Sequence, residues 1–540
     1  MTASKAADHA AAEQRKSRVD GELMLVGILS FLFTLPIWLS AHPPMTDYPQ
    51  HLSMASVLRW YHDPARHLIE TYTLALTRPN TAFAFLTVAL SYVMPLSLAG
   101  KLVVACSVAA TGLAGLALAR RAGRPGWFGL LALLSAFNFA FFFGFVNNVI
   151  ATPLFLYSVV LSDRQLDRPI GWRPWLVLAT LGCAFYFVHI QFLFLFVAAV
   201  GWLGLTRRAS WRSWLGISSS QIPAVTITLL YYFLRHEETY GYHEKNIFAD
   251  VHRPTLIFDK LIEIPEHLFG ALEDGKHWLI LAMAVLAALL LYNSSSPAPA
   301  ISEARVVQNR LAIVKGLLER TRFLSLALWF FVAYLLLPHI FVGAFVYQRL
   351  IAVAWLMLPA TLPVPDIART RPGKMVLVGT LALQLVIVSD AALTFNLETR
   401  GGHSLIAKAA PGRNLMGIML WLGSAVVQSP SLFLHFGTHY LAEKGGRVYF
   451  SFSELHISSV QLRPELAFDD QDATMNEWQP LNFRFSDFGY HWDYFLCHGD
   501  FSRLRRTFGH HLADLAWESQ DDWILLWRKA HRELAPQDKD

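Results

Sequence analysis

Charge is scarce in this sequence. Only 16% of its 540 residues are Asp, Glu, Lys or Arg, against roughly a quarter in soluble chains, which excludes a string of ordinary soluble domains. Cysteine is scarcer still. Cys106, Cys183 and Cys497 are the three present; two lie in apolar runs and one in the tail, so there is no disulfide framework and no zinc-type spacing. The nucleotide and hydrolase signatures GxxxxGK[ST], HExxH, CxxC and GxSxG are missing, and no GxGxxG follows a strand. Acids within apolar runs are few, Asp390 being the one buried-looking case, which argues against a proton-coupled transporter. What the chain has in quantity is apolar sequence. It is 54% hydrophobic with mean hydropathy +0.37, arranged in repeated runs near the length of a bilayer crossing.

These runs define a polytopic α-helical membrane protein. Candidate spans fall at 22–41, 99–119, 126–146, 148–162, 174–188, 190–206, 213–234, 277–292, 323–341, 344–363 and 375–394, or about eleven transmembrane helices. The first run is followed by prolines rather than a small-residue cleavage site and reads as a retained anchor. Residues 1–20 are polar and expected to be disordered. The net charge of +5 comes from basic short loops (Arg15 to Arg18, Arg120 to Arg124, Arg164 to Arg173, Arg207 to Arg212, Arg305 to Arg322, Arg369 to Lys374), which topology explains better than nucleic acid does. All these loops share the cytoplasmic side if 79–96 is re-entrant or interfacial on the outer face rather than a span. The outer side then holds 42–98 with juxtamembrane helices, the loop 235–276, and the tail 395–540. Residues 21–394 form the membrane domain, and SSSPAPA (294–300) is an inner linker. In the tail, GGRVYFSFSELHISSVQL, YHWDYFLCHGD and DDWILLWRK read as strands and LFLHFGTHYLAEKGG as a helix closed by glycine. That predicts a small C-terminal extracytoplasmic α/β domain.

This orientation gathers polar residues at one membrane level. Asp47, Tyr48 and His51 leave span one in AHPPMTDYPQHLSMA. Asn147 and Asn148 mark one hairpin, and His189 with Gln191 another. Glu237, Glu238, His243 and Lys245 follow span seven, and Arg349 opens span ten. Each has an ordinary structural reading. Asp47 could be a solvated loop carboxylate or a helix N-cap; the asparagines and His189 with Gln191 could satisfy helix ends; the 235–246 acids and bases could be a wet loop. Arg349 is the hardest to dismiss, because an arginine at the edge of an apolar segment is costly unless it snorkels or binds something. Asp47, His189 and Arg349 are expected to face one outer cavity.

With these residues in place, the chain resembles the multi-spanning GT-C glycosyltransferases, which use polyprenyl-phosphate sugars on the extracytoplasmic side. The resemblance rests on an acid opening the first outer loop (T-D-Y-P-Q-H) before amphipathic segments (LRWYHDPARHLIE), a basic pair ending a span (ALARRAGR), H-x-Q in a short hairpin (VHIQFLF), an arginine opening a late span (YQRLIAVAWLMLP), and a soluble domain after the last span. It covers most of the chain as architecture and a handful of residues as motif. The acid stands alone where better-known members carry a pair. The resemblance implies transfer of a sugar from a polyprenyl-phosphate-linked donor to a lipid, glycan or protein acceptor by inverting displacement, at the plasma (inner) membrane, in a cell-envelope polysaccharide setting. Asp47 would be the general base or orient the acceptor and any divalent metal, and His51 would support it. Arg349, with His243 or Lys245, would hold the lipid phosphate. Tyr48, Asn147, Asn148, His189, Gln191, Glu237 and Glu238 would line the cavity. The lone acid keeps a second reading open, a non-catalytic scaffold or assembly subunit of an envelope polysaccharide system. A lipid or polysaccharide transporter is the third.

Overall fold

The computed structural model describes residues 20–167, 169–207, 210–234, 256–294, 316–338, 340–341, 344–363, 366, 369–429, 431–455, 458–466 and 477–534. The expectations for residues 1–19, the linker at 295–300, and Glu237, Glu238, His243 and Lys245 lie outside the described residues. The chain is mostly helical, with strands gathered near its C-terminus. Among the described residues, five helices are long and apolar enough to cross a membrane: α1 (Asp20–Trp38), α4 (Leu96–Arg121), α5 (Val146–Gln165), a helix ending at Asn293, and α13 (Arg371–Lys408). A sixth arises if α8 (Trp211–Ser219) and α9 (Ile222–Leu234), bent by 41°, count as one broken span. Shorter apolar helices are α6 (Trp172–Val188), α7 (Ile190–Thr206) and α11 (Arg322–Leu336). The expected pair of short helices meeting at His189 is α6 and α7.

Two expected spans are not helices that cross. Residues 126–146 form a 3-10 turn at Gly126–Gly129 and two short helices, Leu130–Leu133 and Phe139–Phe143. Their side chains are buried throughout. Residues 344–363 likewise break into α12 (Tyr347–Trp355) and a turn of helix at Leu358–Thr361. Both segments are apolar because protein surrounds them, and non-helical backbone at membrane depth is tolerated only in that setting. Hydropathy cannot distinguish a residue facing lipid from one facing a protein core, so the count of about eleven spans does not stand as eleven unbroken helices. Close packing makes the first insertion possible. A Cβ on Gly115 of α4 would lie 2.7 Å from both the Ala132 Cβ and the Gly129 carbonyl oxygen, so the small residue lets the segment touch the helix.

The doubtful run 79–96 contains α3 (Ala82–Leu90), a helix of 9 residues. It rises about 13 Å at 1.5 Å per residue, less than half the roughly 30 Å hydrocarbon core. It does not cross. By contrast α13 has 38 residues, about 57 Å, and runs on through 394 to meet the C-terminal sheet. The strands there are β1 (Asn414–Met419), β2 (Arg447–Val448), β3 (Tyr494–His498), β4 (Leu515–Gln520) and β5 (Trp523–Arg528). Their order is β4-β5-β3-β1-β2, with β1 parallel to both β2 and β3 and the other pairs antiparallel. Side chains alternate between two cores. Leu415, Leu496 and Leu525 join the core shared with the helices. Met416, Phe495 and Ile524 pack with Phe483, Phe485 and Phe508 on the opposite face. The expected glycine-closed helix is α14 (His439–Lys444), ended by Gly445 at φ +77. β1 and β4 are strands the sequence reading did not pick out.

The segment 42–98 and the tail are joined. Tyr72–Leu74 pairs antiparallel with Val460–Leu462. From α2 (Tyr48–Trp60), Gln50 Oε1 accepts from the Phe452 N–H at 2.9 Å, and Ser56 Oγ donates to the Ala442 carbonyl at 2.7 Å.

At the other end of α5, fully buried Asp163 meets Arg121 Nε at 2.5 Å, Arg207 Nη1 at 3.0 Å and Arg322 Nε at 2.8 Å. One carboxylate thus pins α4, α5, α7 and α11. Asp163→Ala leaves three clustered guanidiniums without it and is expected to cost about 3 kcal/mol, the low end of the range for breaking a buried pair because the arginines are partly exposed. Thermal unfolding in detergent checks this; an unchanged Tm would remove the structural role.

Candidate functional site

The turn carrying Asp47 is built by its neighbours. Asn138 caps Phe139–Phe143 by accepting from the Phe141 N–H at 3.1 Å, and Gly144 ends it at φ +87. The Phe142 and Phe143 carbonyls then accept the Thr46 and Asp47 N–H groups at 2.9 and 3.0 Å. A Cβ on Gly144 would lie 2.4 Å from the Asp47 nitrogen, so only glycine fits there, in both dihedral and space. Asp47 precedes α2, yet its side chain makes no cap hydrogen bond, and it is only 4% exposed. It is neither a solvated loop acid nor a cap.

Its carboxylate instead faces the tail. His435 Nε2 lies 3.3 Å from Asp47 Oδ1, and His435 Nδ1 lies 2.8 Å from Glu477 Oε2. Burial alone would lower the His435 pKa. The charges of Glu477 and Asp47 outweigh burial and push it up to about 10, so an imidazolium sits between two acids. Burial raises Asp47, opposed by His435 and Arg349; it raises Glu477 too, opposed by His435. Glu454 nearby is pushed up to about 8, mainly by burial.

All four groups bind protons more tightly folded than unfolded, so stability falls as pH rises. The His435 contribution is fully present below its unfolded value of 6.5 and is lost as pH climbs through about 10. The Tm is expected to fall between those limits, and His435→Asn to flatten the slope. A Tm independent of pH in the wild type would contradict the buried imidazolium.

Arg349, in the first turn of α12 and 6% exposed, stands opposite. Its Nη1 lies 2.6 Å from His189 Nε2 and donates to Gln191 Oε1 at 3.5 Å. Its guanidinium carbon lies 3.8 Å above the Phe145 ring centre, and its Nε has no hydrogen-bond partner among the described residues. Gln191 also donates to the Val346 carbonyl at 3.3 Å, tying the His189 turn to the start of α12. The described part of the 235–276 loop braces α12 as well, with Tyr347 Oη donating to Glu263 Oε2 at 2.9 Å.

Asp47, His189, Gln191 and Arg349 therefore share one region, with Asp47 feeling the Arg349 charge. The other candidates take different places. His51 lies edge-on to Phe83 and Phe452, and burial lowers its pKa to about 3. Tyr48 is packed against Phe83, its hydroxyl donating to the Ser97 carbonyl at 3.5 Å. Asn147 Oδ1 accepts from the Phe83 N–H at 2.9 Å and its Nδ2 donates to the Asn80 carbonyl at 2.6 Å, so it braces α3. Asn148 lines a small interior cavity with Thr111, Ser135, Asn138 and Thr152. His435 and Glu477 escaped the sequence reading. Neither lies in a motif, and each follows Asp47's loop by hundreds of positions.

No family model matches the chain, and no curated protein matches it. Solved structures share its fold, among them two of one protein. The crystal structure of ArnT from Cupriavidus metallidurans bound to undecaprenyl phosphate aligns with TM-score 0.56 at 11% identity, over 96% of this chain and 99% of that one. The apo structure of the same protein aligns with TM-score 0.56 at 12% identity, over 98% and 100%. The chain is similar to ArnT in fold from end to end.

Proposed function

We propose that this protein is an integral-membrane glycosyltransferase of the GT-C type, moving a sugar from a polyprenyl-phosphate carrier to an acceptor on the extracytoplasmic face. The observation that carries the reading is the opposition of two buried charges: a carboxylate, Asp47, set by His435 and Glu477, and a guanidinium, Arg349, whose Nε has no hydrogen-bond partner among the described residues. The end-to-end likeness to a fold that has been seen with undecaprenyl phosphate supports it.

In this reading Asp47 accepts the acceptor hydroxyl proton as its oxygen attacks the anomeric carbon. The bond from that carbon to the phosphate oxygen breaks, and polyprenyl phosphate leaves with the electron pair. Arg349, steadied by His189 and Gln191, holds that phosphate through its planar fork. His435, backed by Glu477, orients Asp47 through its contact with Oδ1. The cations His435 and Arg349 beside Asp47 make a poor setting for a divalent ion, so no step runs through a metal at Asp47. The N-terminus is cytoplasmic, 42–98 and the tail lie outside, and α3 flanks the lipid entry.

The test is turnover by purified protein in lipid, supplied with polyprenyl-phosphate sugars and candidate acceptors. Acceptor-dependent loss of donor supports the reading. Inactivity with every donor, together with full function of Asp47→Asn in cells, would favour the scaffold reading, which the lone acid of the first loop motivates.

A further inference from the structure

A second polar cluster lies beside the candidate site. His42, in the turn after α1, His403, near the end of α13, and His439 and Glu443, one turn apart on α14, present donor atoms all within 4.8 Å of one another. The three ring centres are 4.1 to 4.7 Å apart, and Glu443 Oε1 lies 3.6 Å from His403 Nδ1. His42 and His439 are buried. Among the described residues, His42 Nδ1, His403 Nε2 and His439 Nδ1 have no hydrogen-bond partner. Leaving such groups unsatisfied costs about 1–3 kcal/mol each, and three at one point mark a place built for a ligand.

We infer that His42, His403, His439 and Glu443 form a structural site for a divalent transition ion of the zinc type. Three imidazoles and one carboxylate match the donors such an ion takes. Bonds of about 2.0–2.1 Å in a tetrahedron set donors roughly 3.4 Å apart, so side-chain rotations of about an ångström close the set. The ligands must be neutral imidazoles. Histidine and glutamate at i and i+4 share one face of α14.

The site joins three segments that sequence keeps far apart. His42 stands five residues before Asp47 and His439 four residues after His435. An ion here would lock the two chain turns that bring Asp47 and His435 together, and tie both to the end of α13. Its place is structural: four protein ligands fill a tetrahedron and leave no open position for substrate.

The experiment needs no sugar donor, so it is independent of the proposed function. Tag-free full-length protein in detergent is incubated with ZnCl2, desalted, and its metal content measured. Co(II) is loaded in parallel and its visible spectrum recorded. One zinc per chain, a four-coordinate Co(II) spectrum and a Tm that drops on chelation are expected. His42→Gln and His439→Gln should each reduce bound zinc to background. Should either variant fail to fold, the wild-type Co(II) spectrum and the chelator response decide. No retained zinc, a spectrum of hydrated Co(II) only, or full zinc occupancy in a folded His42→Gln or His439→Gln variant would overturn the assignment.

Discussion

Asp47→Asn is expected to lower donor turnover by about 10²–10⁴-fold, the usual worth of a positioned general base, while binding of polyprenyl phosphate changes little. Asparagine keeps the shape and can still face His435, but it accepts no proton from an acceptor hydroxyl. The change also removes one of two acids from the His435 imidazolium, so the Tm must be recorded alongside. A folded Asp47→Asn protein with wild-type turnover would remove Asp47 from the chemistry. His435→Gln separates positioning from proton transfer. It keeps the carboxylate but loosens its aim, so a smaller loss with a shifted pH–rate profile is expected.

Arg349→Ala is expected to cost about 10²–10³-fold in turnover, comparable to removing a preorganised donor from developing negative charge. It should also weaken binding of polyprenyl phosphate, because in the proposed reaction the same guanidinium would hold the phosphate before and after the bond breaks. Arg349→Lys should rescue poorly. Lysine supplies a charge but no planar fork, and it cannot reproduce both the approach to His189 at 2.6 Å and a two-point grip on phosphate oxygens. Equal polyprenyl-phosphate affinity in wild type and Arg349→Ala would sink the phosphate role. Together the two variants divide the site: one loss falls on the chemical step, the other on donor binding as well.

Part of the candidate site was legible. Asp47 and Arg349 stand where apolar runs begin or end, and a charge at such a boundary is conspicuous because burying it is costly. The H-x-Q of His189 and Gln191 marked a break between two helices, and the break is where Arg349 is met. Tyr48 and Asn147 stood in the same stretches and turned out to be packing and bracing groups. Adjacency in sequence does not say which way a side chain points, since successive helical residues face different directions.

Composition and the lengths of apolar runs determined by themselves that the chain is a multi-spanning helical membrane protein, with strands and a glycine-closed helix at its end. They could do so because bilayer thickness and backbone hydrogen bonding leave few alternatives. The short run at α3 and the pair meeting at His189 were readable for the same reason. Tertiary structure decided which apolar segments face protein rather than lipid, and so broke 126–146 and 344–363 into buried pieces. It alone joined His435 and Glu477 to Asp47, and His42 to His403 and His439. Such meetings depend on how the segment 42–98 docks on the tail, across nearly 400 residues of chain (His42 to His439). No local pattern encodes them, because the energy that fixes them comes from packing between segments rather than within them.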